Sequence, residues 1–175
     1  MCRDSPLAGV FCPGQHSNCQ RWNRVSHGSA VMASSGRIAA FQLRSEEEVQ
    51  VTTVPWKRHA HQRAHDFFKT DEMLDRVLTQ LAKGMDKRED AILSSDDICV
   101  HWYGDTSADG DMHPTLRMVK PGDTTESEVF VSRLLPFIFA GDDSFELLMQ
   151  LPKMPFRMRC GDPLCINFFH ISPGV

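Results

Sequence analysis

The chain has 175 residues, 41% of them hydrophobic, which is enough to bury one sizeable core and predicts a single domain of about 100 to 150 residues with flexible flanks. The net charge is -4, and five Arg against one Asp in residues 1–44 lie scattered among Ser, Gly, Pro and Asn, so they form no basic stripe with interleaved aromatics. That excludes a nucleic-acid binder of the usual phosphate-tracking kind.

Residues 1–37 carry Cys2, Cys12 and Cys19 but no apolar repeat of period 2 or 3.6, and are expected to be a disordered N-terminal tail. Met32 is a plausible second start. Six cysteines would suit a secreted disulfide scaffold, yet Met1-Cys-Arg-Asp-Ser-Pro lacks the apolar core of a signal peptide. Reduced thiols and a cytoplasmic or nuclear location are therefore expected. No run approaches the roughly 18 apolar residues of a membrane span, so no membrane association is expected.

Residues 38–97 read as a linker with short strands and one helix. Ile38, Phe41, Leu43, Val49, Val51 and Val54 suit one or two strands interrupted by an acidic turn at Ser45–Glu48. A clear helix follows. Thr70 supplies an N-cap oxygen, Asp71, Glu72 and Asp75 sit near the positive end of the dipole, and Leu74, Val77, Leu78 and Leu81 recur at i, i+3, i+4 and i+7 before Lys83 and Gly84 close it.

Residues 98–175 change character. Short runs rich in β formers cover 98–103, 115–119, 128–131, 137–139, 145–151, 156–160 and 164–171, separated by Gly-Asp, Asp-Gly, Pro-Gly and Gly-Asp-Pro turns. Their number and spacing predict a mainly β fold, an antiparallel β-sandwich preceded by one amphipathic helix. The turn Gly161-Asp162-Pro163 would join the last two strands as a hairpin.

Trp102, the Asp109-Gly110 turn, His113-Pro114-Thr115-Leu116, Pro121-Gly122 and Leu135-Pro136-Phe137-Ile138-Phe139 together resemble the β domain of the von Hippel-Lindau tumour suppressor family over residues 98–139. The resemblance implies a sandwich with a peptide-binding groove, serving substrate recognition in a ubiquitin-ligase setting. Carried over by position, Trp102 lines the groove, His113 stands where the family has a tyrosine, and Phe137 replaces a tryptophan. The family's hydroxyl-reading serine and histidine fall near Val131 and Leu135, and a buried hydroxyl without those partners would lose about 1 to 3 kcal/mol. Hydroxyproline reading is thus not expected, whereas a protein or peptide partner is.

Other constellations carry residue types suited to chemistry. His59, His61 and His65 offer a metal-binding alternative, with His61 and His65 on one face if the segment is helical, against a plain reading as a solvated basic entry to the helix. Asp105, Ser107, Asp109 and Asp111 imitate a calcium loop but meet Leu116 at the twelfth position, so a turn is the better reading. Cys160 and Cys165 supply half of a zinc site, and Cys99 and His170 would complete it, though nothing local places them. Small buried cysteines beside a turn are the default there. No nucleotide-binding, nucleophile-elbow or metalloprotease motif is present. The expectation is a binding module with no catalytic residues and no cofactor, zinc on a His or Cys cluster being the alternative.

Overall fold

The structure is a computed structural model and describes residues 40–172. The tail expected over 1–37 lies outside the described residues. Three helices come first. Helix α1 is Glu46–His59, α2 is Gln62–Phe68 and α3 is Asp71–Lys83.

Helix α3 forms where the 3.6-residue pattern predicts it. Thr70 accepts the amide of Met73 at its N-terminus, and the Gly84 N–H returns to the carbonyls of Gln80 and Leu81 at the other end. Leu74, Val77, Leu78, Leu81 and Ala82 are buried. They pack against α1, α2 and the first strand, making α3 the centre of the core.

Of the strands expected between Ile38 and Val54, Ile38 lies outside the described residues, 40–45 form no strand, and helix α1 takes the place of the part that includes Val49, Val51 and Val54. Its start is a capping box, in which Ser45 Oγ accepts the Glu48 amide at 3.2 Å and the Glu48 carboxylate accepts the Ser45 amide at 2.7 Å. The β-branched run Val51-Thr-Thr-Val54 costs a helix about 0.7 kcal/mol per residue at most. Trp56, which has no exposed surface and donates from Nε1 to Asp90 Oδ1 at 3.0 Å, more than offsets that by burial.

The β-sandwich does not form. The described residues hold five helices and two separate two-stranded sheets. Strands β1 (Thr115–Val119) and β2 (Glu126–Phe130) pair antiparallel, Thr115 opposite Phe130 and Val119 opposite Glu126, around a turn in which Gly122 has φ +91°. The expected strand at 137–139 falls instead within helix α4 (Val131–Phe139), and most of the one at 145–151 within helix α5 (Asp142–Met149). In α4 the buried residues Val131, Leu134, Leu135 and Ile138 recur at i, i+3, i+4 and i+7, a helical stripe that overrides the β preference of Phe137-Ile-Phe139. The segment 98–103 is extended but makes only isolated bridges, Trp102 with Met85 and His101 with Cys165. Strands β3 (Arg157–Met158) and β4 (Ile171–Ser172) form the second sheet.

One hydrophobic core runs from Val49 through α3, β1 and α4 to Ile166, so the helices of 38–97 and the segments after 98 share it. Among the described residues no helix is long and apolar enough to cross a membrane.

Candidate metal centre

Two loops bring four ligand-type side chains together. The first runs from Asp90 to Cys99. Asp90 Oδ1 accepts the amides of Ile92 and Leu93 at 2.8 Å each, as well as the Trp56 indole, which fixes the loop to the helical core. The second, residues 159–170, connects β3 to β4. Its first turn is closed by the Gly161 N–H to Met158 O at 2.9 Å, with Gly161 at φ +78°, a conformation that side-chain-bearing residues seldom adopt. Asp162 then accepts the Leu164 amide at its side chain and the Cys165 amide at its carbonyl.

Asn167 ties the two loops to one another. It is fully buried, and its Nδ2 donates to Ser94 Oγ, Ser95 O and Ile98 O at 3.2, 2.9 and 2.7 Å while its Oδ1 accepts the Phe169 amide. The Ile166 amide also donates to Val100 O at 2.7 Å. These contacts set Cys99 against the loop that carries Cys160, Cys165 and His170.

The ligand atoms of Cys99, Cys160, Cys165 and His170 all lie within 4.8 Å of one another. His170 Nδ1 is 3.4 Å from Cys165 Sγ and 3.8 Å from Cys99 Sγ. A single tetrahedral zinc with Zn–S of about 2.3 Å and Zn–N of about 2.0 to 2.1 Å would hold nitrogen and sulfur about 3.6 Å apart, and two sulfurs about 3.8 Å apart. The two His170–sulfur distances match that spacing, and the other donor pairs lie within 4.8 Å, close enough to gather around one ion with a small adjustment. No other group of three such donors occurs among the described residues.

The histidine tautomer follows from its second contact. His170 Nε2 lies 2.7 Å from Asp96 O, and a carbonyl can only accept, so Nε2 carries the proton and Nδ1 turns a bare lone pair toward the sulfurs. This is the outer-shell arrangement that orients metal-ligating histidines. Burial pushes the Cys165 thiol up to about 12 and raises Cys99 as well, against the opposing amides of Val100 and Asn167 that reach Cys165. Without a cation the buried sulfurs stay protonated. A bound divalent ion reverses that preference, because a coordinating thiol is deprotonated outright. Cys165 and His170 are buried, Cys99 is half-buried and Cys160 faces solvent. A His101–Asp162 contact and an Arg159–Asp96 ion pair, each 3.0 Å, flank the loop.

The residues singled out for peptide binding are not drawn into one cavity. Trp102 is buried, donates to Asp105 O at 2.7 Å and lies against Gly84 and Gly104. His113 stands edge-on to Phe130 and lines a different hollow with Phe156, Met158 and Pro163. Phe137 sits on α4 among Phe67, Phe68 and Phe145. The histidine run is also dispersed. His59 ends α1, His61 is the N-cap of α2 with its Nδ1 accepting the Arg63 amide and its Nε2 near Asp142, and His65 lies within α2. The acidic stretch 105–111 is a turn, Ser107 donating to Asp109 and Gly110 at φ +92°.

Sequence reasoning found Cys160 and Cys165 but could not assign Cys99 and His170. A usable signal was the even spacing Cys160-x4-Cys165-x4-His170, with a glycine directly after the first cysteine. No family model, curated protein or solved structure matches the chain. Fold and site therefore define its class by themselves, a small mixed helix and hairpin domain with a Cys3His donor set.

Proposed function

We propose that this protein is a zinc-binding domain in which one structural zinc ion, held by Cys99, Cys160, Cys165 and His170, locks the C-terminal loop onto the segment 94–100. The observation that carries the reading is the His170 geometry, with Nε2–H committed to Asp96 O and Nδ1 facing two sulfurs at 3.4 and 3.8 Å. Three soft sulfurs and one imidazole favour zinc over magnesium or calcium, which take oxygen donors. Four protein donors fill a tetrahedral ion, leaving no position for water or substrate, which is the mark of a structural site as opposed to a catalytic one.

The ion's role is mechanical. The sheet of β3 and β4 has only two residues per strand, too little to hold a loop of this length by itself. Zinc binding to thiolates is worth on the order of 10 kcal/mol in small zinc modules near neutral pH and would supply the missing constraint. Cobalt titration of the metal-stripped protein tests the donor set. Tetrahedral cobalt bands with thiolate charge transfer at one equivalent are expected. Weak octahedral bands, or no spectrum at all, would contradict it.

A further inference from the structure

Resting on the zinc reading above, we propose that the centre is a peroxide-sensitive switch, in which Cys160 is the sulfur attacked by oxidant and Cys99 the one that resolves it, with release of the metal. Exposure distinguishes the three sulfurs. Cys160 is exposed, Cys99 half-buried and Cys165 buried, so a solvent-borne oxidant meets Cys160 first. A bound zinc ion would supply the thiolate form that peroxide attacks. Redox-sensing cysteines combine accessibility, thiolate character and a neighbouring resolving thiol; the geometry gives the first and the third, and the proposed ion would give the second.

The chemistry balances. The Cys160 thiolate attacks one oxygen of hydrogen peroxide, forming an S–O bond while the O–O bond breaks and hydroxide leaves, so sulfur loses two electrons to the peroxide. The Cys99 thiolate then attacks the Cys160 sulfur, an S–S bond forms, the S–O bond breaks and a second hydroxide leaves. Two thiolates and one peroxide give one disulfide and two hydroxides. The sulfurs start within 4.8 Å and close to about 2.05 Å.

Cys165 is the poorer resolving partner. It is 1% exposed, and its sulfur is engaged by the amides of Val100 and Asn167. Loss of two of four donors leaves zinc on Cys165 and His170 alone, and the ion departs. The loop 159–170 then keeps Asn167, the backbone contacts of Ile166 with Val100 and of Phe168 with Ala91, the burial of Ile166 and the short β3–β4 pairing, but no longer the ion that draws Cys99 to it.

The test treats the full zinc-loaded chain with one equivalent of hydrogen peroxide, follows zinc with a chromogenic chelator and traps sulfenic acid with dimedone before mapping peptides by mass spectrometry. Expected are loss of the one zinc per chain, dimedone on Cys160, a Cys99–Cys160 disulfide without the trap, and recovery with dithiothreitol and zinc. Cys160→His, which keeps a ligand but removes the sulfur, should retain zinc under the same treatment. Replacing Cys2, Cys12 and Cys19 by Ser should change nothing. Retention of zinc by the peroxide-treated wild type, or dimedone on Cys99 or Cys165 in place of Cys160, overturns the switch and leaves the zinc reading intact. A chain that holds no zinc before oxidant overturns both.

Discussion

Asn167 and His170 do different work at the same site. His170 supplies a donor atom, whereas the Asn167 side chain touches none of the proposed ligand atoms and instead satisfies three acceptors on the facing loop, only its backbone amide reaching Cys165. Asn167→Ala removes the partner of those partly buried acceptors, at a cost of about 1 kcal/mol. It should also weaken zinc binding by about 10-fold, the equivalent of about 1.4 kcal/mol, because Cys99 is held less firmly against the loop. A competition titration against a chelator of known affinity checks the second effect and urea denaturation the first. Gly84 is a residue-scale constraint of another kind. A β-carbon there would stand 2.2 Å from the Trp102 ring, so Gly84→Ala should cost about 1 to 3 kcal/mol by overpacking, read as a fall in Tm of several degrees.

Asp86 is buried and receives both the Arg88 side chain, at 2.7 and 2.8 Å, and the amides of Arg88 and Gln42. Those bonds, the Arg88 side chain foremost, hold its carboxyl well below the usual carboxylate range even though burial acts the other way. The folded-state pKa is thus the lower one. The stabilisation is present above the unfolded-state value of about 3.9 and is lost as pH falls toward the folded-state value. In denaturation series between about pH 3 and pH 7, the stability gap between wild type and Asp86→Asn should be constant above about pH 5 and shrink in acid. A gap that widens on acidification would reverse the sign.

At the scale of elements, the segment before α1 closes the C-terminal end of α3. Arg44 Nη1 donates to Ala82 O at 2.7 Å and Met85 O at 3.3 Å, and Nη2 reaches Glu89 O, so carbonyls left open by the end of a helix meet a guanidinium. Helix α3 itself was legible because cap, stripe and stop all agree. Helix α1 was misread, although Ser45 and Glu48 spell a capping box, because a β-branched run and Pro55 carry the opposite local signal and only the burial of Trp56 decides between them. Helix α4 was hidden by Pro136, which has no N–H to give to the helix, and by a short apolar run whose period cannot be read over five residues. The hairpin β1–β2 was legible from its Pro-Gly turn. Of the metal site, the local pair Cys160 and Cys165 was visible in the sequence. Cys99 and His170 were candidates to complete it, but nothing local placed Cys99, since only the Asn167 bracket and the Val100–Ile166 contact bring it near, and both span more than 60 residues.

For the whole molecule, core and metal loop differ in how much of each is held by apolar burial. The helices and the first hairpin share the apolar core built on Leu74, Leu78 and Leu81, while the loop from 159 to 170 gives that core Ile166, with Phe168 packed against it, and is otherwise held by polar brackets and the proposed ion. Leu78→Ala should therefore cost about 2 to 5 kcal/mol and destabilise the fold globally. Chelation of zinc should act locally. Hydrogen exchange after metal removal is expected to rise across residues 94–100 and 159–170 while the amides of α3 stay protected. Uniform deprotection would mean that the ion supports the whole core.

The most direct measurement is the metal content of the full chain purified without added metal, by mass spectrometry of the elements, beside the Cys165→Ser and His170→Ala variants. One zinc per wild-type chain, lost in both variants, is the predicted result. A wild-type chain free of zinc, or zinc retained when either ligand is removed, would contradict the assignment of Cys99, Cys160, Cys165 and His170 as a metal centre.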